Sequence, residues 1–333
     1  MNMTKWIDNT INLEKKKAMP VLSFPAIQKM DITVAELIGD SDKQCQAMKI
    51  IADLTDSAAT VSFMDLSIEA EAFGSEIRVA DDEVPTVIGS IISTEEEADA
   101  VTIPQIGDGR TKINIEAIEK VSKIINDRPV FAGIIGPFSL AGRLLDVSEA
   151  MIYCYEEPEM VECVLEKATA FLIYYCKAYK SAGADGVVMA EPLAGLLSPD
   201  LAEDFSAKYV RQIVNAVQDD DFIVIYHNCG NSVPQTIDTI VNNGCKVFHF
   251  GNAIDLSDIL KFIPNNALVM GNVDPAGQIK NGTAESVYKV TQEILTKCSG
   301  NKNFVISSGC DIPPMSPWEN IEAFFKAVSD FYS

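Results

Sequence analysis

His227 and Cys229 stand two residues apart in Ile225-Tyr226-His227-Asn228-Cys229-Gly230, where an apolar, β-branched run ends. Residues i and i+2 of an extended chain face the same side, so this imidazole and this thiol aim at one point. A third soft donor, Cys310, follows a second apolar run in Val305-Ile306-Ser307-Ser308-Gly309-Cys310-Asp311. One imidazole and two thiolates leave the fourth position of a tetrahedral zinc free, as in catalytic zinc centres. Sulfur ligands favour zinc over magnesium or calcium. The competing reading of the same three residues is a buried polar histidine and two packed cysteines.

Other polar residues fall at the ends of apolar runs. Glu191, opening Glu191-Pro192-Leu193-Ala194-Gly195, could complete the zinc shell or orient His227, or it could cap the following helix. Asp274 in Gly271-Asn272-Val273-Asp274-Pro275 has the same two readings, and Asp65 in Met64-Asp65-Leu66-Ser67 is the third carboxylate, with Glu69 and Glu71 close by. Asp65 and Glu191 are the catalytic candidates; Asp274 and Phe138 are candidates for holding a cofactor. Phe138, in Gly136-Pro137-Phe138-Ser139, could wall a ligand cleft or simply pack. The remaining cysteines of the eight, Cys45, Cys154, Cys163, Cys176, Cys245 and Cys298, fall on apolar faces or at element ends and read as packing. His249, between Phe248 and Phe250, reads as a satisfied buried histidine.

Such residues need a scaffold that brings strand ends together. Short apolar runs recur at Val21–Ala26, Ala59–Met64, Val130–Gly136, Gly186–Glu191, Phe222–His227, Lys246–Gly251, Leu268–Val273 and Phe304–Ser308. Continuous apolarity suits strands of a parallel sheet covered on both faces. Helical patterns lie between them, with Ser198-Pro199 and Ser316-Pro317 as start signals and Gly183 and Gly244 as stops. Eight strands alternating with helices predict an α/β fold, a (β/α)8 TIM barrel spanning residues 1–333 as one domain. Residues 1–18 form an N-terminal helical extension in this reading, and the acidic stretch 65–104 is a hairpin-like insertion after the second strand. No glycine-rich phosphate loop follows any strand, which leaves a nucleotide-binding open sheet without support.

The chain carries 48 Asp and Glu against 26 Lys and Arg, a net charge of −22. That field repels phosphates and anionic lipid, so neither nucleic acid nor a membrane is an expected partner. Only five residues are arginine: Arg78, Arg110, Arg128, Arg143 and Arg211. A substrate with many carboxylates would want more bidentate donors. No apolar h-region precedes Lys15-Lys16-Lys17 and no run approaches a membrane span, so the expectation is a cytoplasmic protein with reduced cysteines.

The chain resembles the uroporphyrinogen decarboxylase superfamily in Met64-Asp65-Leu66-Ser67-Ile68-Glu69-Ala70-Glu71-Ala72-Phe73-Gly74, in Ile135-Gly136-Pro137-Phe138-Ser139-Leu140-Ala141-Gly142, in His227-Asn228-Cys229-Gly230 and in Ser308-Gly309-Cys310-Asp311-Ile312-Pro313-Pro314. The His-x-Cys pair and the distant cysteine make it similar to the methylcobalamin:coenzyme M methyltransferase branch in particular. That resemblance implies His227, Cys229 and Cys310 as zinc ligands, and Asp65 at the position of the decarboxylases' catalytic aspartate. It implies methyl transfer from methylcobalamin, carried by a partner corrinoid protein, to a small thiol such as coenzyme M. Zinc would deprotonate the thiol, and the net negative centre would keep its sulfur nucleophilic. The arginine-rich loop with which the decarboxylases grip a porphyrinogen has no counterpart in Met19-Pro20-Val21-Leu22-Ser23-Phe24-Pro25. The rival readings are transfer to tetrahydrofolate, a decarboxylase-like barrel without thiol activation, and a non-catalytic partner of a corrinoid protein.

Overall fold

Runs of buried, β-branched residues form strands, and the longer amphipathic stretches between them return the chain to the same end each time. The computed structural model describes all 333 residues. Its strands are β1 (Thr60–Val61), β2 (Glu76–Arg78), β3 (Thr86–Ile88), β4 (Val130–Ile135), β5 (Gly186–Ala190), β6 (Ile223–Asn228), β7 (Val247–Phe250), β8 (Leu268–Val273) and β9 (Phe304–Ser308). Seven of them make one parallel sheet in the order β1-β4-β5-β6-β7-β8-β9, while β2 and β3 pair antiparallel outside it. Every residue of β4 to β9 is buried, as a sheet covered on both faces requires.

The alternation along each strand sorts the core into two parts. Val188, Ala190, Ile223, Ile225, Val247, Leu268, Met270 and Val305 face one compartment, which the curl of the sheet encloses. Val187, Met189, Val224, Tyr226, Phe248, Val269, Phe304 and Ile306 face the other, packed under the helices. By the same period of two, His227, His249 and Ser307 continue the inner rows. Helix Met3–Asn12 plugs the inner compartment with Met3 and Ile7, and Trp6 meets Phe131 edge-on at 5.6 Å.

The expected first strand, Val21–Ala26, is not a strand. Pro20 and Pro25 have no amide hydrogen to give a ladder, and Phe24–Ala26 turns as a 3-10 helix. The sheet therefore has seven strands where eight were expected. The neighbouring residues still bridge the gap: Met19 N–H donates to Ile306 O at 3.0 Å, and Ala58 N–H donates to Ala18 O at 2.8 Å. Val21 N–H reaches Ser308 Oγ at 3.0 Å. Irregular chain thus spans the seam between β9 and β1.

The start signals performed unequally. Ser198 accepts from Leu201 N–H ahead of Pro199, as expected, whereas Pro317 is itself the N-cap of helix Trp318–Phe331 and Ser316 makes no capping bond. No helix is long and apolar enough to cross a membrane.

Candidate metal centre

The inner row of β6 ends in His227, which is 3% exposed. Asn228 then closes a tight turn, its Oδ1 accepting from Gly230 N–H at 2.9 Å. This turn brings Cys229 over the strand ends, and its fit is close. A Cβ on Gly251, just past β7, would lie 2.5 Å from both Cα and Cβ of Cys229. Cys310 arrives from the other side, two residues beyond β9, where Gly309 is pressed against Asn252. The ligand atoms of His227, Cys229 and Cys310 lie within 4.8 Å of one another, and Cys310 Sγ is 3.5 Å from His227 Nε2. The two elements that supply them, β6 and β9, are separated in the sheet by β7 and β8.

The donor chemistry fits a soft divalent cation. The hydrogen bond with Cys310 pulls the Cys229 thiol well below the ordinary thiol range, against the opposing effect of burial. Cys310 is pushed the other way by the same bond and by burial, so the pair holds one proton between two sulfurs. The six other cysteines are all raised, with desolvation as the main cause; Cys154 and Cys298 rise to about 11. Those six are packing residues, as their positions in the sequence suggest. Three donors converge here, one of them biased towards thiolate.

His249 was read from the sequence as a satisfied buried histidine, and it is one, but its partner is His227. The strand register sets the two side by side, and their Nδ1 atoms are 2.7 Å apart. Nε2 of His249 lies 2.7 Å from Ser307 Oγ, and Ser307 O–H donates to Met19 O at 2.7 Å.

The carboxylates divide. Asp65, 4% exposed, accepts from Arg110 and from Ser67 O–H and N–H. Arg110 also donates from Nε to Glu71 at 2.7 Å, so this guanidinium is committed to two carboxylates. In the sequence nothing singles Arg110 out except the scarcity of arginine. Glu69 is buried beside them, with Oε1 accepting from Ile135 N–H and Oε2 unpartnered, and burial raises its pKa to about 8.

Three candidates lie apart from the converging donors. Glu191 accepts from Phe138 N–H and Ser139 N–H, each at 2.8 Å, and from Ser206 O–H at 2.9 Å. It caps the N-terminus of helix Pro137–Leu145 and does not join the converging donors. Phe138 is wholly buried in the core and walls no open cleft. Asp274 takes its capping reading, accepting from Ala276 N–H and Gly277 N–H at 3.0 and 2.9 Å. It does line a surface cleft of about 480 Å³ together with Asn252, Asn272 and Lys297.

Comparison with known proteins gives a consistent picture. The family model for uroporphyrinogen decarboxylase matches residues 15–331. The chain is 27% identical over 272 residues to the methylcobamide:CoM methyltransferase MtbA of Methanosarcina acetivorans, covering 80% of this chain and 78% of that one. It is 25% identical over 289 residues to the uroporphyrinogen decarboxylase of Coxiella burnetii, covering 82% and 77%. Overall identity therefore does not separate the two activities. A solved methyltransferase from Methanosarcina mazei shares the fold over the full length of both chains, with a TM-score of 0.86 at 23% identity. With a family match over nearly its whole length, this chain belongs to the uroporphyrinogen decarboxylase family.

Proposed function

We propose that this protein is a zinc-dependent methyltransferase that moves a methyl group from a methylcorrinoid, borne by a partner corrinoid protein, to a small thiol such as coenzyme M. The observation that carries this reading is the convergence of His227 Nε2, Cys229 Sγ and Cys310 Sγ at the C-terminal ends of β6 and β9. In a parallel barrel this is the end where reactive groups collect. The methylcobamide:CoM relatives supply the substrates, and the lack of arginine in residues 19–25 weighs against a porphyrinogen.

His227, Cys229 and Cys310 would hold the ion and leave one position for the acceptor. Bound zinc supplies a thiolate nucleophile at neutral pH by lowering the pKa of an acceptor thiol. The chain's own thiols contribute negative charge at that point, and the buried inner rows below them keep water out. Asp65 is held by Arg110 and Ser67, which fixes its orientation at the end of β1 without leaving it an uncompensated charge. The free cysteines fit a reducing compartment, and we place the protein in the cytoplasm.

The test is metal analysis followed by turnover. Purified protein should carry about one zinc per chain, and should demethylate methylcobalamin, followed by cobalt absorbance, with 2-mercaptoethanesulfonate but not with tetrahydrofolate. Cys310→Ala should lose both properties. Absence of zinc, or full thiol-dependent demethylation by Cys310→Ala, would overturn the proposal; turnover with tetrahydrofolate alone would favour the folate acceptor.

A further inference from the structure

The two histidines of the chain form one hydrogen-bonded line that ends on a backbone carbonyl, and the protons in it can be counted. A carbonyl only accepts, so the 2.7 Å contact between Ser307 Oγ and Met19 O commits the serine proton to Met19. Ser307 Oγ then has only lone pairs to offer His249 Nε2, also 2.7 Å away, so that nitrogen carries a hydrogen. The two Nδ1 atoms are 2.7 Å apart, a distance that holds one hydrogen between them. His227 Nδ1 also faces the His249 carbonyl at 3.3 Å, which can only accept, so His227 is the donor and His249 Nδ1 the acceptor.

We infer that His249 and Ser307 are positioning residues: they fix the proton of His227 on Nδ1 and leave Nε2 with its lone pair directed at the two cysteines. This rests on the metal-centre reading for its purpose, though not for the proton count itself. A ligating histidine usually gives its second N–H to a carboxylate, a carbonyl or water. Here the acceptor is a second imidazole, held in turn by Ser307. The opposite arrangement is chemically complete. With His249 donating from Nδ1 to His227 and Ser307 donating to His249, the proton would sit on His227 Nε2 and block ligation. The Met19 carbonyl selects between the two.

Because the chain has only these two histidines, [15N]histidine labelling of the reduced, metal-free protein reads the answer directly. The expected spectrum contains one Nδ1–H ring, His227, and one Nε2–H ring, His249, assigned from nuclear Overhauser contacts and from His249→Gln, in which only His227 remains. Finding His227 as the Nε2–H tautomer overturns the inference. Chelator competition is the second readout. His249→Phe should weaken zinc binding roughly tenfold to a hundredfold. His249→Gln should stay much closer to wild type, since its amide oxygen can accept from His227 and its amide nitrogen can donate to Ser307. Equal affinity for all three proteins overturns the inference, provided their near-ultraviolet circular dichroism matches. If wild type binds no zinc, the metal reading fails while the tautomers are still decided by the spectrum.

Discussion

Cys229 and Cys310 share one proton, and this asymmetry is measurable before any substrate is known. In metal-free protein Cys229 carries the charge, so at neutral pH iodoacetamide should alkylate it faster than any of the seven other cysteines, and zinc should protect it. Peptide mass spectrometry along a time course gives the order; uniform labelling would contradict the assignment. Glu69 supplies a stability prediction of the opposite kind. Its pKa rises from 4.5 unfolded to about 8 folded, so the stability contributed by its protonated form is fully present below 4.5 and is lost as pH rises through 8. A shift of that size amounts to a few kcal/mol. Urea midpoints of wild type should fall between pH 5.5 and 8.5, and those of Glu69→Gln should fall less; parallel curves would refute this. The convergence of His227, Cys229 and Cys310 was legible in the sequence because two of them are separated by the strand period itself. His249 was not, because its contact with His227 depends on how β6 and β7 align, which neither strand encodes alone.

At the scale of elements, the convergence of His227, Cys229 and Cys310 depends on backbones that approach closely. Gly251→Ala would drive a methyl group to 2.5 Å from Cys229, so it should cost about 1–3 kcal/mol and weaken zinc binding, whereas Gly300→Ala meets nothing within 4 Å and should be silent. Denaturant melts and chelator titrations of the two variants check this pair. The strands from β4 to β9 were readable as continuous apolar runs because helices cover their outer face and the enclosed core their inner one. The segment from Val21 to Ala26 has the same apolar content, but proline at 20 and 25 removes the donors that pairing needs, and apolarity alone does not report that. Glu191 was misplaced for a related reason. Its position after β5 puts it at the right end of the sheet, but the amides of Phe138 and Ser139, in the first turn of helix Pro137–Leu145, claim both of its oxygens.

For the whole molecule, the proposed donor arrives on a protein, and the rim that receives it should show apolar contact. Leu196, 60% exposed in the turn after β5, and Met315, 48% exposed beyond β9, lie in loops at the same end of the sheet as the cysteines. Leu196→Glu with Met315→Glu should slow demethylation of a protein-bound corrinoid at least tenfold, roughly 1.4 kcal/mol, and leave free methylcobalamin turnover unchanged. Equal loss with both donors would place these residues elsewhere in the mechanism. The seam between β9 and β1 has a wider consequence. The carbonyl that sets the histidine protons belongs to Met19, in the irregular stretch that joins the two ends of the sheet. A chain whose ends have not met has no such carbonyl in place, and its His227 is free to hold the wrong proton. Zinc would then load tightly only into finished molecules, so metal uptake itself would act as an inspection step, discriminating completed barrels from late folding intermediates.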